Sequence, residues 1–244
     1  MGRLSMRSTY SRRNALRSAL LASIVTAGCQ GIAAEEYPHM AAVEQYLISD
    51  SATEIAMARS AAPEGLTRDA EILILGTGGY RTAVKGKSGF TCLVERSWMS
   101  SFDSPEFWNP KLRGPICYNP AAVRTVLPYT LERTKLFLSG SSKEQVHGIM
   151  AASAAKKELV EPEVGAMSYM LSKMGYLSDS AGHWHPHLMF YVPKTDAATW
   201  GANIAGSPVL YNDELKDMPE PETIFIVPVG HWSDGSAAPP MEVH

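Results

Sequence analysis

Residues 182–193 read GHWHPHLMFYVP, with His183, His185 and His187 at alternate positions ahead of a run of large apolar side chains. HLMFYVP (187–193) is short, rich in aromatic and branched residues and closed by a proline, which predicts a strand. AMSYMLS (166–172) and TIFIVPVG (223–230) predict two more. Helical and strand segments mix along the rest of the chain without a regular strand–helix–strand rhythm. The fold class that follows is α+β, one domain over residues 35–235 with a mainly antiparallel sheet and several packing helices.

Upstream, MAAVEQYLISDSATEIAMARSAAP (40–63) is helical in composition, with Ser49 or Asp50 able to cap a second segment that Pro63 ends. EILILG (71–76) reads as a buried strand. The alternating runs Tyr80/Thr82/Val84 and Phe90/Cys92/Val94 flank KGKSG and predict a hairpin between them. Residues 97–120 are irregular and hold Trp98, Phe102, Phe107 and Trp108. Such a stretch is either an aromatic lid over a site or a loop whose rings seal the core. Asn119 and Pro120 form a cap and first-turn pair opening a short helix that Pro128 stops. Ser142 and Gln145 form a capping box for a helix to about Lys157, which carries His147 as a half-exposed residue.

At the N-terminus, residues 1–34 hold five arginines and no acid, so of the 22 basic side chains 17 remain against 25 acidic ones. That acidic remainder, without a basic cluster, excludes nucleic acid as a partner. SRRNALR (11–17) precedes ALLASIVTAG (19–28), too short to span a bilayer but of signal-peptide length. Residues 1–34 are therefore an export signal, twin-arginine-like or Sec. Cleavage before Ala34 gives a periplasmic or secreted product with no transmembrane segment, while TAGC (26–29) leaves a lipoprotein anchor on Cys29 as the alternative. Residues 236–244 read as a flexible tail. Cys92 and Cys117 then remain, either as a disulfide suited to an oxidising compartment or as two buried thiols.

Three patterns bear on chemistry. LGTGGYR (75–81) lacks the last glycine of a dinucleotide loop and precedes a strand, so its glycines read as a tight turn. No GxSxG nucleophile occurs. The histidines carry the strongest signal, because side chains two apart on a strand share a face, and His183, His185 and His187 can then converge on one ion. Pro186 puts them at a strand entrance. Asp179 is a further ligand or an orienting carboxylate. GHW recurs at 230–232, so pairing of the two strands would bring in His231, with Trp184 and Trp232 as apolar walls. A divalent metal follows as the cofactor, Zn or Cu first, with Glu95 as a general base for hydrolase or lyase chemistry. The alternatives are hydrogen-bonded strand histidines in a polar groove, within a non-catalytic periplasmic domain that binds a small-molecule ligand or is purely structural. The oligomeric state is not legible.

HxH on a strand also resembles cupins and alpha-type carbonic anhydrases, but the carboxylate expected after a cupin HxH is missing and no surrounding carbonic anhydrase motif occurs. GFTCLVERSW (89–98), FWNPKLRGPIC (107–117), YLSD (176–179) followed by GHWHPH (182–187), and WGAN (200–203) together resemble a group of bacterial exported proteins. The resemblance covers most of residues 50–235; it implies export and no particular activity.

Overall fold

The computed structural model describes residues 37–179 and 181–240. The predicted export signal with Cys29, and the last four residues of the predicted tail, lie outside the described residues. After a 3-10 turn at Val43–Gln45, α1 (Ser51–Arg59) starts at Asp50, whose side chain accepts hydrogen bonds from the Ala52 and Thr53 N–H groups. Pro63 ends the following turn and opens the single-turn α2 (Glu64–Thr67).

Among the described residues seven strands form one sheet, in the order β2-β1-β3-β4-β5-β6-β7. They are β1 (Glu71–Gly76), β2 (Gly79–Val84), β3 (Thr91–Glu95), β4 (Gly114–Tyr118), β5 (Met167–Met170), β6 (His187–Pro193) and β7 (Glu222–Pro228). Every neighbouring pair is antiparallel except β1 with β3. The α+β class with a mainly antiparallel sheet is therefore what the chain forms.

Two local expectations change. The hairpin is not 80–84 with 90–94, because β2 pairs with β1 across the two-residue Thr77–Gly78 turn, where Gly79 sits at φ 121°. β1 then lies between β2 and β3. KGKSG instead carries the chain back across the end of β1, so closely that a Cβ on Gly86 would lie 2.1 Å from the Glu71 nitrogen. The second change is at Pro128. α3 (Pro120–Thr125) opens on the Asn119 cap as expected, but Pro128 starts the 12-residue α4 (Leu127–Leu138) and does not stop a helix. α5 (Lys143–Ala155) begins with the Ser142/Gln145 capping box.

Alternation along the strands divides the core in two. On one face Ile72, Cys92, Val94 and Cys117 pack under α1 with Ala58, Ala61 and Ala62. Cys92 and Cys117 stand directly opposite each other in the β3/β4 register, Cα atoms 4.0 Å apart, and form a disulfide. On the other face Leu93, Ile116 and Tyr118 meet α3, α4 and the 97–112 loop. Trp98, Phe107 and Trp108 of that loop are buried, with Phe107 and Trp108 packed edge-on against Phe137 of α4. The aromatic stretch thus seals the core, and its serine-rich rim lines a hollow beside it.

Candidate functional site in the sheet-face cavity

The hollow is a cavity of about 450 Å³ between the sheet and α4, within the range of small-molecule sites. Its floor follows from period-two alternation: Glu95 of β3, Gly114 and Tyr118 of β4, Met170 of β5, His187, Met189 and Tyr191 of β6, and Glu222, Ile224 and Ile226 of β7. Tyr129, Thr130 and Arg133 of α4 face it from above. Met99 and Ser100 close one side, and Trp184 and His185 another. Gly114 is opposite Glu95 in the register, and a Cβ there would touch Glu95, Met170 and Trp184 at 3.4–3.5 Å. Its missing side chain keeps the space beside Glu95 open.

Polar groups interrupt this largely apolar wall at two places. At the first, Glu95 Oε1 accepts from Tyr118 Oη at 2.6 Å and more distantly from Thr130 Oγ1 at 3.4 Å. Loss of hydration pushes the Glu95 carboxyl up to about 7, against the lowering effect of those hydroxyls and Arg133. Burial also raises Tyr118 and Tyr191 well above an ordinary phenol, so both remain neutral donors. Tyr191 Oη lies 2.8 Å from Ser168 Oγ.

The second place is the α4/β7 corner. Arg133 donates from Nη1 to Glu220 Oε1 at 3.4 Å and from Nη2 to the Ser100 carbonyl at 2.8 Å, and its guanidinium lies 4.2 Å over the Phe102 ring. Three buried side-chain atoms here have no hydrogen-bond partner among the described residues: Arg133 Nε, Glu220 Oε2 and Glu222 Oε2. Buried polar atoms are normally satisfied, and unpaired ones mark strain or a place for a further group. Glu222, desolvated and beside Glu220, has its carboxyl raised well above the usual range.

The predicted histidine cluster does not assemble. β6 begins at His187, so the alternation that would align three imidazoles does not extend to His183 and His185. A turn precedes them, with Gly182 at φ 69°. His187 is buried, and its Nδ1 donates to the His185 carbonyl at 2.7 Å because a carbonyl can only accept. Desolvation lowers its basicity and favours the neutral ring. His183 is exposed, with Nδ1 donating to the Trp184 carbonyl at 3.1 Å.

β6 and β7 do pair, but the recurring GHW brings His183 edge-on to Trp232, ring centres 5.2 Å apart, while His231 is exposed and bridges to Ala237 through its backbone. Asp179 is held by Lys111 Nζ at 3.0 Å and by the Tyr176 hydroxyl. Among the described residues no three His, Cys, Asp or Glu side chains stand together as a metal-holding group. His183, His185, His187, His231 and Asp179, the residues expected to hold Zn or Cu, do not form such a group among the described residues. His185, His187 and Trp184 serve as cavity wall, and Glu95, the predicted general base, lies in the cavity with them.

No family model, curated protein or solved structure matches the chain. The site therefore rests on its own geometry. Sequence reading passed over Tyr118, Tyr191, Thr130, Arg133, Glu220 and Glu222. A signal was present for two of them. Glu222 alternates with Ile224 and Ile226, and Arg133 falls in the stripe Val126, Tyr129/Thr130, Arg133, Phe137; a charge on an apolar face at helix or strand period is out of place unless something requires it.

Proposed function

We propose that this is an exported small-molecule-binding domain whose cavity takes a compound with an apolar body and one polar end, and that Glu95 exchanges a proton with that end. The observation carrying the proposal is a hollow of about 450 Å³ holding Glu95 on two hydroxyl donors within apolar walls. A carboxyl poised near neutrality can give or take a proton at physiological pH, which suits both recognition and general acid–base chemistry. Export fits the Cys92–Cys117 disulfide, since such bonds persist in oxidising compartments. Among the described residues no helix is long and apolar enough to cross a membrane.

The test is titration of the mature domain with the neutral fluorophore N-phenyl-1-naphthylamine. The expected result is a saturable rise in emission with one site per chain, abolished by Met189→Trp, which fills the cavity floor, at unchanged far-UV circular dichroism. Non-saturating emission, or binding indifferent to Met189→Trp, would overturn the proposal.

A further inference from the structure

The cavity's polar inventory has a sign. Glu95, Glu214, Glu220 and Glu222 line it, against Arg96, Arg133, His185 and His187. Arg96 is neutralised elsewhere by a buried ion pair with Glu54 at 2.7 Å. Arg133 is matched by Glu220 at 3.4 Å. Lys194, which acts on Glu222 from outside, is exposed and donates to the Met218 carbonyl. His187 is held toward its neutral form. Two carboxyls, the half-buried Glu95 and the buried Glu222, remain without a cationic partner at hydrogen-bond distance among the described residues.

Glu95, Glu220 and Glu222 all line the same cavity. Glu222 Oε2 and Glu220 Oε2 are buried and unpartnered, on residues only 8% and 3% exposed. Both hydrogen bonds to Glu95 fall on Oε1, and none among the described residues reaches Oε2. The rest of the wall is aromatic and thioether: Tyr118, Tyr129, Tyr191, Trp184, Met170 and Met189. Aromatic faces attract organic cations, and a desolvated carboxylate needs a positive partner to remain ionised.

We propose that the ligand is an organic cation, an ammonium carried on an apolar or aromatic body, whose charge is taken by Glu95 and Glu222. This rests on the cavity being a binding site and goes further by assigning its ligand class. Binding of R–NH3+ to a protonated carboxyl leaves a carboxylate–ammonium pair and releases one proton to solvent. Among the described cavity-lining residues Arg133 Nε is the unpaired atom that favours an anion, and that N–H, whose charge Glu220 already matches, is outweighed by the carboxyls of Glu95 and Glu222.

Three probes of one shape decide it: 4-phenylbutylamine, 4-phenylbutanol and 4-phenylbutyrate, measured by isothermal titration calorimetry. The amine is expected to bind at least about tenfold more tightly than the alcohol at pH 8, with the carboxylate weakest. Its affinity is expected to fall about tenfold from pH 8 to pH 6, with proton release seen as a buffer-dependent enthalpy. Glu95→Gln and Glu222→Gln should each reduce the amine's advantage over the alcohol and leave alcohol binding intact. A tighter alcohol or carboxylate overturns the cation assignment. If N-phenyl-1-naphthylamine binds and the amine does not, that assignment fails while the cavity reading stands. If neither binds, both fail.

Discussion

Glu95 and Arg96 are neighbours in the chain with opposite electrostatic situations. Arg96 is fully buried, yet its guanidinium meets Glu54, the Tyr46 carbonyl and the Val94 carbonyl. Glu54 Oε1 also accepts the Leu75 N–H. Such a closed network holds α1 to β1 and β3 and leaves little for a ligand. Glu95 has only hydroxyl partners and a carboxyl raised to about 7 by desolvation. The folded state therefore holds that proton more tightly than the unfolded chain does. The resulting stability is complete below the ordinary value near 4.5 and is lost as pH rises through about 7. Glu222, also raised, acts in the same sense; His187, lowered, acts oppositely as pH falls below its ordinary 6.5. Urea unfolding of wild type and Glu95→Gln from pH 4.5 to pH 8 checks this. The variant is expected to show a shallower loss of stability toward high pH, and identical pH profiles would refute the desolvated environment assigned to Glu95.

At the scale of elements, local chemistry determined most boundaries. Ser142 accepts from the Gln145 N–H, and the Gln145 side chain accepts from the Ser142 N–H at 2.8 Å. Ser142→Ala is expected to cost about 1 kcal/mol, measurable as a lower urea midpoint at unchanged slope; no change would mean that tertiary packing alone defines the start of α5. The same local logic placed Asp50, Asn119 and β6, because caps and alternation are written within a few residues. Pairing is not local. Phe90–Val94 has the alternation of a hairpin partner for Tyr80–Val84, but the Thr77–Gly78 turn lets β1 take that position first, and residues 85–90 return the chain to a parallel contact with β1. β4 was hidden because Gly114 and Pro115 weaken its strand signal, and α4 because a proline at its first turn resembles a stop signal. Of the cavity lining, only Glu95, Trp184, His185 and His187 were legible as site residues. It gathers side chains from five strands and a helix, and their common face depends on register. For a related reason the histidines are not brought together: identical spacing on a strand and in a turn aims side chains differently.

Across the whole molecule the sheet divides its labour between faces. Under α1 the packing is closed, and the Cys92–Cys117 disulfide ties β3 to β4 among small and aliphatic side chains. Over the other face α4 and the aromatic loop stand off from the strands and leave the cavity. A bond between residues 25 apart restricts the unfolded chain, which in the loop-closure account is worth about 3.5 kcal/mol. The sulfurs and the cavity lie on opposite sides of the same two strands, so perturbing one should leave the other nearly unaffected, as for distant sites without shared partners. The double variant Cys92→Ala/Cys117→Ala is therefore expected to lose about 3 kcal/mol of unfolding free energy while binding N-phenyl-1-naphthylamine within about twofold of wild type, measured where both remain folded. Unchanged stability would mean that the cross-link does not restrict the unfolded chain. Loss of binding in a variant with native circular dichroism would show that the strands transmit strain from one face to the other, and the disulfide would then belong to the machinery of the site.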